Sequence, residues 1–212
     1  MKVGVLGSGQ VAKVLAKAFL ETGHEVMLGS REASKVAGWS DDARAKAGTF
    51  AETAAFGQVV VLAVKGTVAV DAVKLAGIEN LAGKTVIDAT NPIADAPPVN
   101  GILQFFTGPN DSLMERLQVA APEANFVKAF SCVGNSFMFR PNFPGGPPTM
   151  FICGNNDAAK AEVNAILKDF GWDSEDVGKV EGARAIEPLC QLWCARGFIH
   201  NKWTHAFKRL DL

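Results

Sequence analysis

The chain has 212 residues, enough for one full-sized domain with a small appended unit. Hydrophobic residues make up 48% and charged residues 20%, a balance typical of a compact globular protein with little disordered sequence. The formal net charge of -1 lacks the basic excess that binding to nucleic acid or to an acidic membrane surface requires. Tyrosine is absent and histidine occurs three times, so mechanisms with a tyrosine acid are excluded and histidine mechanisms have few candidates.

The N-terminal sequence enters a strand-like segment directly, without the charged and apolar regions of a secretory signal peptide. We therefore expect a cytoplasmic protein. The longest apolar run, at 59–64, spans about six residues, whereas a membrane-spanning helix needs about 20, so we expect no membrane segment. The four cysteines form no CxxC pair, which predicts reduced, mostly buried thiols and no metal site.

In the first half of the chain, short apolar runs alternate with helical patterns. Strands are predicted over 2–6, 25–28, 59–64 and 85–88, and helices over 10–22 and 68–76. A short helix is also predicted from Asp41 to Ala47, capped by Ser40 and ended by Gly48, with a brief strand at Thr49-Phe50. Valine-rich strands alternating with helices indicate parallel strands that are buried on both faces.

The second half begins with an irregular stretch over 93–108, and a helix then runs from a cap at Asn110 or Asp111 to about Ala120. A strand follows over 125–130. Four prolines and two glycines mark 140–148 as a loop or boundary. Beyond it we predict a strand over 149–153, a helix over 157–170, a short strand over 172–177, and a final helical region interrupted at Pro188 and Gly197.

This alternation predicts a Rossmann-type, doubly wound, mainly parallel α/β sheet. Residues 1–130 would form the nucleotide-binding domain, and 131–212 a small C-terminal α/β extension for substrate binding and dimerisation. A homodimer would form through the apolar C-terminal helix.

The first strand ends in the G-x-G-x-x-A sequence Gly7-Ser8-Gly9-Gln10-Val11-Ala12, which leads directly into a helix. Gly7 permits a tight turn, and Gly9 leaves room for a pyrophosphate. Ala12 lets the helix pack closely on the strand, and the helix N-terminus offers free N–H groups to an anion. The strand before this motif, the helix after it and its N-terminal position favour dinucleotide binding over a structural glycine turn.

The end of the second strand favours NADP(H) over NAD. An NAD site usually carries an acidic residue there, whereas this chain has Ser30, Arg31 and, one turn later, Lys35, which can bind a 2′-phosphate. Glu32 is the competing candidate, but it lies one residue beyond the arginine and is expected to point to solvent.

Two further strand ends are expected at the same crevice, because ligands of such sheets bind at the carboxyl ends of the strands. Ala63-Val64-Lys65 follows the fourth strand and would pass the ribose and pyrophosphate. Asn91 follows the fifth strand, and Pro92 biases it toward an extended conformation that presents its amide to the nicotinamide side. Alternatively, Asp88 and Asn91 only cap local backbone groups.

Six segments together resemble the NADP oxidoreductase family typified by coenzyme F420-dependent NADP reductase, and the cytosolic reductase domain of the six-transmembrane metalloreductases is similar too. They are GSGQVA, GHEVMLGSR, VLAVK, IDATNP, VKAFSCVG and EPLCQLW. The resemblance covers nearly the whole chain. It implies an oxidoreductase that passes a hydride directly between NADP(H) and a stacked deazaflavin or flavin ring.

The resemblance also implies roles for individual residues. The pyrophosphate would lie on Gly7, Ser8, Gly9, Gln10 and Val11, and the 2′-phosphate would bind to Ser30 and Arg31. The rest of the cofactor would run along Ala63, Val64 and Asn91. The nicotinamide and its partner ring would lie at the 130–133 turn. Family members usually have Asn or His at the position of Ser131 and Thr at the position of Cys132. This departure bears on the identity of the hydride acceptor more than on the NADP site.

Ring-to-ring transfer depends on proximity and orientation, so it needs neither a tyrosine acid nor a histidine base. We therefore expect no catalytic side chain; Ser131, Cys132 and Val133 would shape the pocket floor, and Ile93 with the proline-rich loop would partly cover the acceptor. Two alternatives stay open. One is an NADPH-dependent imine or carbonyl reductase similar to the pyrroline-carboxylate reductases, with Ser131 or a water as proton donor. The other is a binding protein that senses NADP(H) without turnover.

Overall fold

The computed structural model describes all residues from Met1 to Leu212. Its centre is a six-stranded sheet in which every neighbouring pair of strands is parallel, in the order β3-β2-β1-β4-β5-β6. The strands are β1 (Lys2–Leu6), β2 (Glu25–Ser30), β3 (Ala45–Thr49), β4 (Val59–Leu62), β5 (Thr85–Asp88) and β6 (Asn125–Lys128). The strand order reverses between β1 and β4, as a doubly wound sheet requires, so the predicted fold class is confirmed.

Helices cover both faces of this sheet. In the first part of the chain they are α1 (Gln10–Glu21), α2 (Phe50–Phe56), α3 (Ala69–Ala76), α4 (Ile78–Leu81) and α5 (Leu113–Ala120). Alternate residues of β4 point to opposite faces: Val59 and Val61 join an apolar cluster with α1, whereas Val60 and Leu62 join a second cluster with α2, α3 and α5. The sheet is therefore buried on both sides.

After the Pro/Gly loop the chain forms β7 (Thr149–Ile152), α6 (Asp157–Asp169), β8 (Asp173–Asp176), α7 (Ala183–Ile186) and α8 (Pro188–His200). Strands β7 and β8 form a separate parallel pair. Residues of α6 and β7 belong to the same apolar cluster as α1, while α7 joins the cluster of α3 and α5. Both apolar clusters thus contain residues from each side of the predicted boundary at 130.

The prediction for residues 41–50 is wrong. Instead of a helix, the carboxylate of Asp42 accepts the backbone N–H of Arg44 at 2.8 Å and binds its guanidinium, and the chain then enters β3 beside β2. Thr49 and Phe50 do not form a strand of their own. Thr49 is the last residue of β3 and also caps α2, its side chain and that of Glu52 completing a reciprocal capping box.

Several other element boundaries differ from the prediction. Strand β2 runs two residues further than predicted, and β4 and β6 end two residues earlier. The cap of α5 is Ser112, which accepts the N–H of Glu115, and not Asn110 or Asp111. Gly197 does not interrupt the last helix: Pro188 starts α8 as its first residue, Gly197 lies inside it, and no helix follows His200. None of the helices combines the length and the apolar character needed to cross a bilayer.

Candidate cofactor groove and its family

A groove runs along the carboxyl ends of β1, β2, β4 and β5, and it has two connected parts. The first part, of about 410 Å³, lies between the glycine-rich turn, the end of β2 and α3. The second part, of about 350 Å³, lies between the start of α1 and the segment after β5. Both parts share the backbone around Gly9 and the segment Ala63-Val64-Lys65. All twelve of the predicted cofactor-binding residues line it: Gly7, Ser8, Gly9, Gln10, Val11, Ser30, Arg31, Lys35, Ala63, Val64, Lys65 and Asn91.

The two glycines of the motif have different physical roles. Gly7 has φ of 142°, and a Cβ on it would lie 2.3 Å from the carbonyl oxygen of Ala63, so no other residue fits there. Gly9 has an extended backbone that any residue can adopt, and a Cβ on it would meet no protein atom within 4 Å. Gly9 is the N-cap of α1 and no side chain caps that helix, so free N–H groups face open space. This cradle fits the pyrophosphate of a dinucleotide.

The end of β2 presents one free cation to the groove. Arg31 is exposed, and its guanidinium makes no hydrogen bond or salt bridge within the chain. Lys35 binds Glu32 at 2.8 Å, and both side chains are more than half exposed. The hydroxyl of Ser30 is engaged locally, because it donates to the Glu32 carbonyl and accepts the Glu32 N–H. The side chain of Glu32 therefore turns toward Lys35 and solvent.

The segment after β5 forms one wall of the second part of the groove. The side-chain amide of Asn91 donates to the carbonyl of Ser131 at 2.9 Å, which ties the loop after β5 to the loop after β6. The other amide atom, Asn91 Oδ1, is buried without a hydrogen-bond partner. Lys65 contributes the only ionisable side chain in the lining of this part, and its ammonium pairs with Asp95.

The turn after β6 lies behind this wall. Phe130 has a positive φ of 61°, an unusual conformation for an aromatic residue, and it directs the chain back into the core. Ser131, Cys132 and Val133 are 1–8% exposed, and the residues lining the groove do not include them. Ser131 Oγ is buried without a partner. Burial raises the pKa of the Cys132 thiol to about 12, so it stays protonated at neutral pH. Ile93 does line the groove.

Several residues that line the groove were not predicted from the sequence. One face of α3 and the turn before it form the outer wall of the first part, and Phe50, at the start of α2, completes it; the residues of that face are Val68, Asp71, Ala72 and Leu75. Their spacing of three and four residues indicates only one face of a helix. The sequence contains no signal that this face, with Val68 and Leu75 about half exposed, borders a ligand groove.

The family model described as NADP oxidoreductase, coenzyme F420-dependent, matches residues 2–92, which include most of the groove. A solved structure from Arthrobacter sp. FB24, assigned as an F420-dependent NADP reductase, is 33% identical, covers all of both chains and superposes with a TM-score of 0.93. The chain belongs to the coenzyme F420-dependent NADP oxidoreductase family. It is therefore an NADP-dependent oxidoreductase, and the resemblance found in its motifs is confirmed.

Other relatives of this NADP oxidoreductase are more distant or only partly comparable. The F420-dependent NADP reductase of Methanothermobacter thermautotrophicus is 29% identical over 206 residues, covering 91% of this chain and 87% of that protein. Metalloreductase STEAP3 of Rattus norvegicus is 30% identical over 189 residues, but the chain spans only 36% of its length. An imine reductase from Bacillus cereus, 19% identical with a TM-score of 0.64 over 90% of this chain and 59% of that one, shares the fold.

Proposed function

We propose that this oxidoreductase transfers a hydride between NADP(H) and a deazaflavin or flavin-type ring by direct contact of the two rings. The observation that carries the proposal is the lining of the second part of the groove. It consists of glycine, alanine, valine and isoleucine with the amides of Gln10 and Asn91, the hydroxyl of Thr90, and one lysine that is already paired with Asp95. Such walls can orient flat rings, and they offer no free acid or base.

The first part of the groove would hold the adenosine end of NADP(H). The free N–H groups at the start of α1 bind the pyrophosphate across Gly9, and the unpaired guanidinium of Arg31 binds the 2′-phosphate. Lys35 can join Arg31 by exchanging its exposed partner Glu32 for the phosphate. Val68 and Leu75 supply an apolar wall for the adenine.

The second part of the groove would hold the nicotinamide end. When bound, NADPH supplies a hydride from C4 of its nicotinamide. The residues of the chain position that ring: Val11 and Val64 line this part of the groove, and the unpartnered Oδ1 of Asn91 can accept a hydrogen bond from the carboxamide. Ser131, Cys132 and Val133 support this wall from behind, and Ile93 with its loop covers part of the acceptor. These residues orient the two rings. Reduction of the acceptor ring also takes up one proton at a ring nitrogen; solvent can supply it, so no side chain has to transfer it.

The experiment is a survey of hydride acceptors with the purified protein. NADPH is followed at its nicotinamide absorbance while the deazaflavin, FMN, FAD, ferric chelates and a cyclic imine are offered in turn. The proposal predicts turnover with the ring acceptors. Turnover with the imine alone would show that the acceptor is wrong, and NADPH binding without turnover of any acceptor would favour a sensor.

Imine or carbonyl reduction is the second candidate, because Ser131 Oγ is buried, has no partner and lies one residue beyond the strained Phe130. Because Ser131 does not line the groove, its hydroxyl would pass a proton to a substrate there through a water. Ser131→Ala separates the two candidates. It should leave transfer to a deazaflavin within about twofold of the wild type, whereas it should lower imine reduction by about 100-fold or more if the hydroxyl is the proton donor.

The organisation of the molecule is a proposal as well. We propose that residues 1–130 bind the cofactor and that 131–212 complete the acceptor side and the contact between two copies of the chain. The exposed face of α8, with Leu192, Phe198 and Ile199 about half exposed, supports such a contact. Light scattering of the wild type and of Leu192→Glu tests it: a dimer that becomes a monomer supports the contact, and a monomeric wild type refutes it.

A further inference from the structure

Three charged side chains form a buried cluster directly behind the groove wall at Thr90. Asp88 ends β5, Lys128 ends β6 and Glu187 joins α7 to α8, and each side chain is at most 2% exposed. Lys128 Nζ lies 2.7 Å from Asp88 Oδ2 and 2.8 Å from Glu187 Oε1, and it donates to the Thr90 carbonyl at 2.9 Å. The ammonium thus makes one hydrogen bond, to the carbonyl, and two ion-pair contacts, to the carboxylates.

Stability alone does not account for such a cluster. Desolvation of buried charges costs several kcal/mol per ion by typical estimates, and well-packed apolar side chains often give an equally stable protein. Burial by itself would lower the pKa of Lys128, but the carboxylates of Asp88 and Glu187 raise it above its ordinary value. The lysine stays charged, and its hydrogen bond to the Thr90 carbonyl together with its two ion pairs holds the groups around it in one arrangement.

The groups that it fixes belong to the groove. The N–H and hydroxyl of Thr90 donate to Asp88 Oδ1 at 2.9 Å and 2.6 Å, while its carbonyl accepts from Lys128. Thr90 is thus held at three atoms. The next residue, Asn91, turns its amide toward Ser131. The bonds that hold Thr90 therefore also help to fix the orientation of the wall at Asn91.

Glu187 connects the same wall to the C-terminal part of the chain. Its Oε2 accepts the N–H of Leu113 at 3.0 Å, and its Oε1 accepts the N–H of Met114 at 3.1 Å, so its carboxylate also satisfies the start of α5. A residue that comes almost 60 positions after Lys128 therefore completes the support of a loop in the nucleotide-binding half.

We propose that Lys128 and Glu187 are positioning residues for the nicotinamide half of NADP(H), acting through Thr90 and Asn91. This rests on the proposed function of the groove. Neither side chain touches the first part of the groove, where the pyrophosphate and the 2′-phosphate are held. Loss of either side chain should therefore disturb the nicotinamide end and leave the adenosine end intact.

The experiment compares two probes by calorimetry: NADPH, and adenosine 2′,5′-bisphosphate, which lacks the nicotinamide. The variants are Lys128→Met and Glu187→Gln, the second keeping side-chain volume and an acceptor for α5. Lys160→Met is the matched control, because Lys160 is also mostly buried and binds two carboxylates, but lies on α6 away from the groove. Urea unfolding shows that each variant is folded, and the fluorescence of bound NADPH reports on the nicotinamide.

We expect both variants to bind the bisphosphate with wild-type affinity. Their preference for NADPH over the bisphosphate should fall about tenfold, or ~1.4 kcal/mol. The fluorescence gain on NADPH binding should fall as well, and Lys160→Met should change neither property. An unchanged preference for NADPH in the folded variants would overturn the inference and leave the proposed function standing. An equal loss for both probes would reduce the cluster to a general structural role, which also overturns it. If the wild type binds neither probe, the proposed function itself is wrong.

Discussion

Substitution of Gly9 by alanine is a selective perturbation of the cofactor groove. A Cβ at this position meets no atom of the protein within 4 Å, and the backbone there is extended, so the fold has room for the methyl group. Replacing glycine by alanine at a compatible backbone conformation stabilises a protein by about 0.4–1 kcal/mol. Alanine is a poorer N-cap than glycine, which offsets a similar amount. The free energy of unfolding should therefore change by less than about 1 kcal/mol.

The effect on the cofactor should be much larger. The methyl group enters the space above the free N–H groups of α1, where the pyrophosphate is proposed to lie. Hydrogen bonds to a charged group contribute about 1.5–3 kcal/mol each. Losing one or two of them predicts that NADPH affinity falls about 100-fold, or ~2.8 kcal/mol. Calorimetric titration with NADPH measures the affinity, and urea unfolding without ligand measures the stability.

Gly7→Ala is the contrasting control. Its positive φ and the carbonyl of Ala63 at 2.3 Å should make this variant unstable, by at least about 1–3 kcal/mol from backbone strain alone. Gly7→Ala should therefore lower mainly the stability of the protein, and Gly9→Ala mainly its affinity for NADPH. A Gly9→Ala protein that unfolds like the wild type and still binds NADPH with wild-type affinity would refute a pyrophosphate site at the start of α1.

Three further outcomes follow from the side chains. Arg31→Ala should weaken the affinity for NADPH about 10- to 100-fold and leave the affinity for NADH unchanged, because only the 2′-phosphate contact is lost. Arg140 is an exposed arginine outside the groove, so Arg140→Ala should change neither affinity. Equal losses for NADPH and NADH in Arg31→Ala would disprove the assignment. Burial raises the pKa of Cys132 to about 12, so a thiol reagent at pH 8 should modify the partly exposed Cys194 first, as peptide mapping can show. Burial, together with a nearby arginine, lowers the pKa of His205. The unfolded chain therefore binds more protons than the folded one as the pH falls through about 6.5, so stability should drop between pH 7 and 5, and His205→Gln should flatten that drop in urea unfolding.

The parts of the fold that the sequence predicts well are those governed by local pattern. The valine run of β4 and the glycine turn at Gly7 have few alternative conformations, so both appear at the expected positions, with β4 ending at Leu62, two residues before its predicted end. Strand β3 has the sequence AKAGT, which lacks the alternation of a strand. It forms because β2 offers a free edge and because Asp42 holds the preceding turn, and neither cause is visible in its own residues.

The candidate site likewise contains some residues that local pattern predicts and others that only the packing of distant elements brings together. The glycine turn and Arg31 were predictable because the chemistry of a dinucleotide fixes their spacing and position. The wall formed by α3 and the cluster of Lys128 with Glu187 were not, since each depends on how distant elements pack. Ser131 was expected at the pocket floor, and in the structure it bonds Asn91 through its backbone while its hydroxyl stays buried.

Direct transfer between two rings can be tested by following the hydrogen itself. The protein is incubated with the deazaflavin and with NADPH carrying deuterium at C4 of the nicotinamide, in separate samples labelled on each face, in ordinary water. Direct transfer predicts that one of the two samples delivers deuterium to a ring carbon of the reduced deazaflavin, where it does not exchange with solvent, and that the other delivers hydrogen. NADPH that binds without reducing the deazaflavin, or a reduced deazaflavin without deuterium from either sample, would contradict the account.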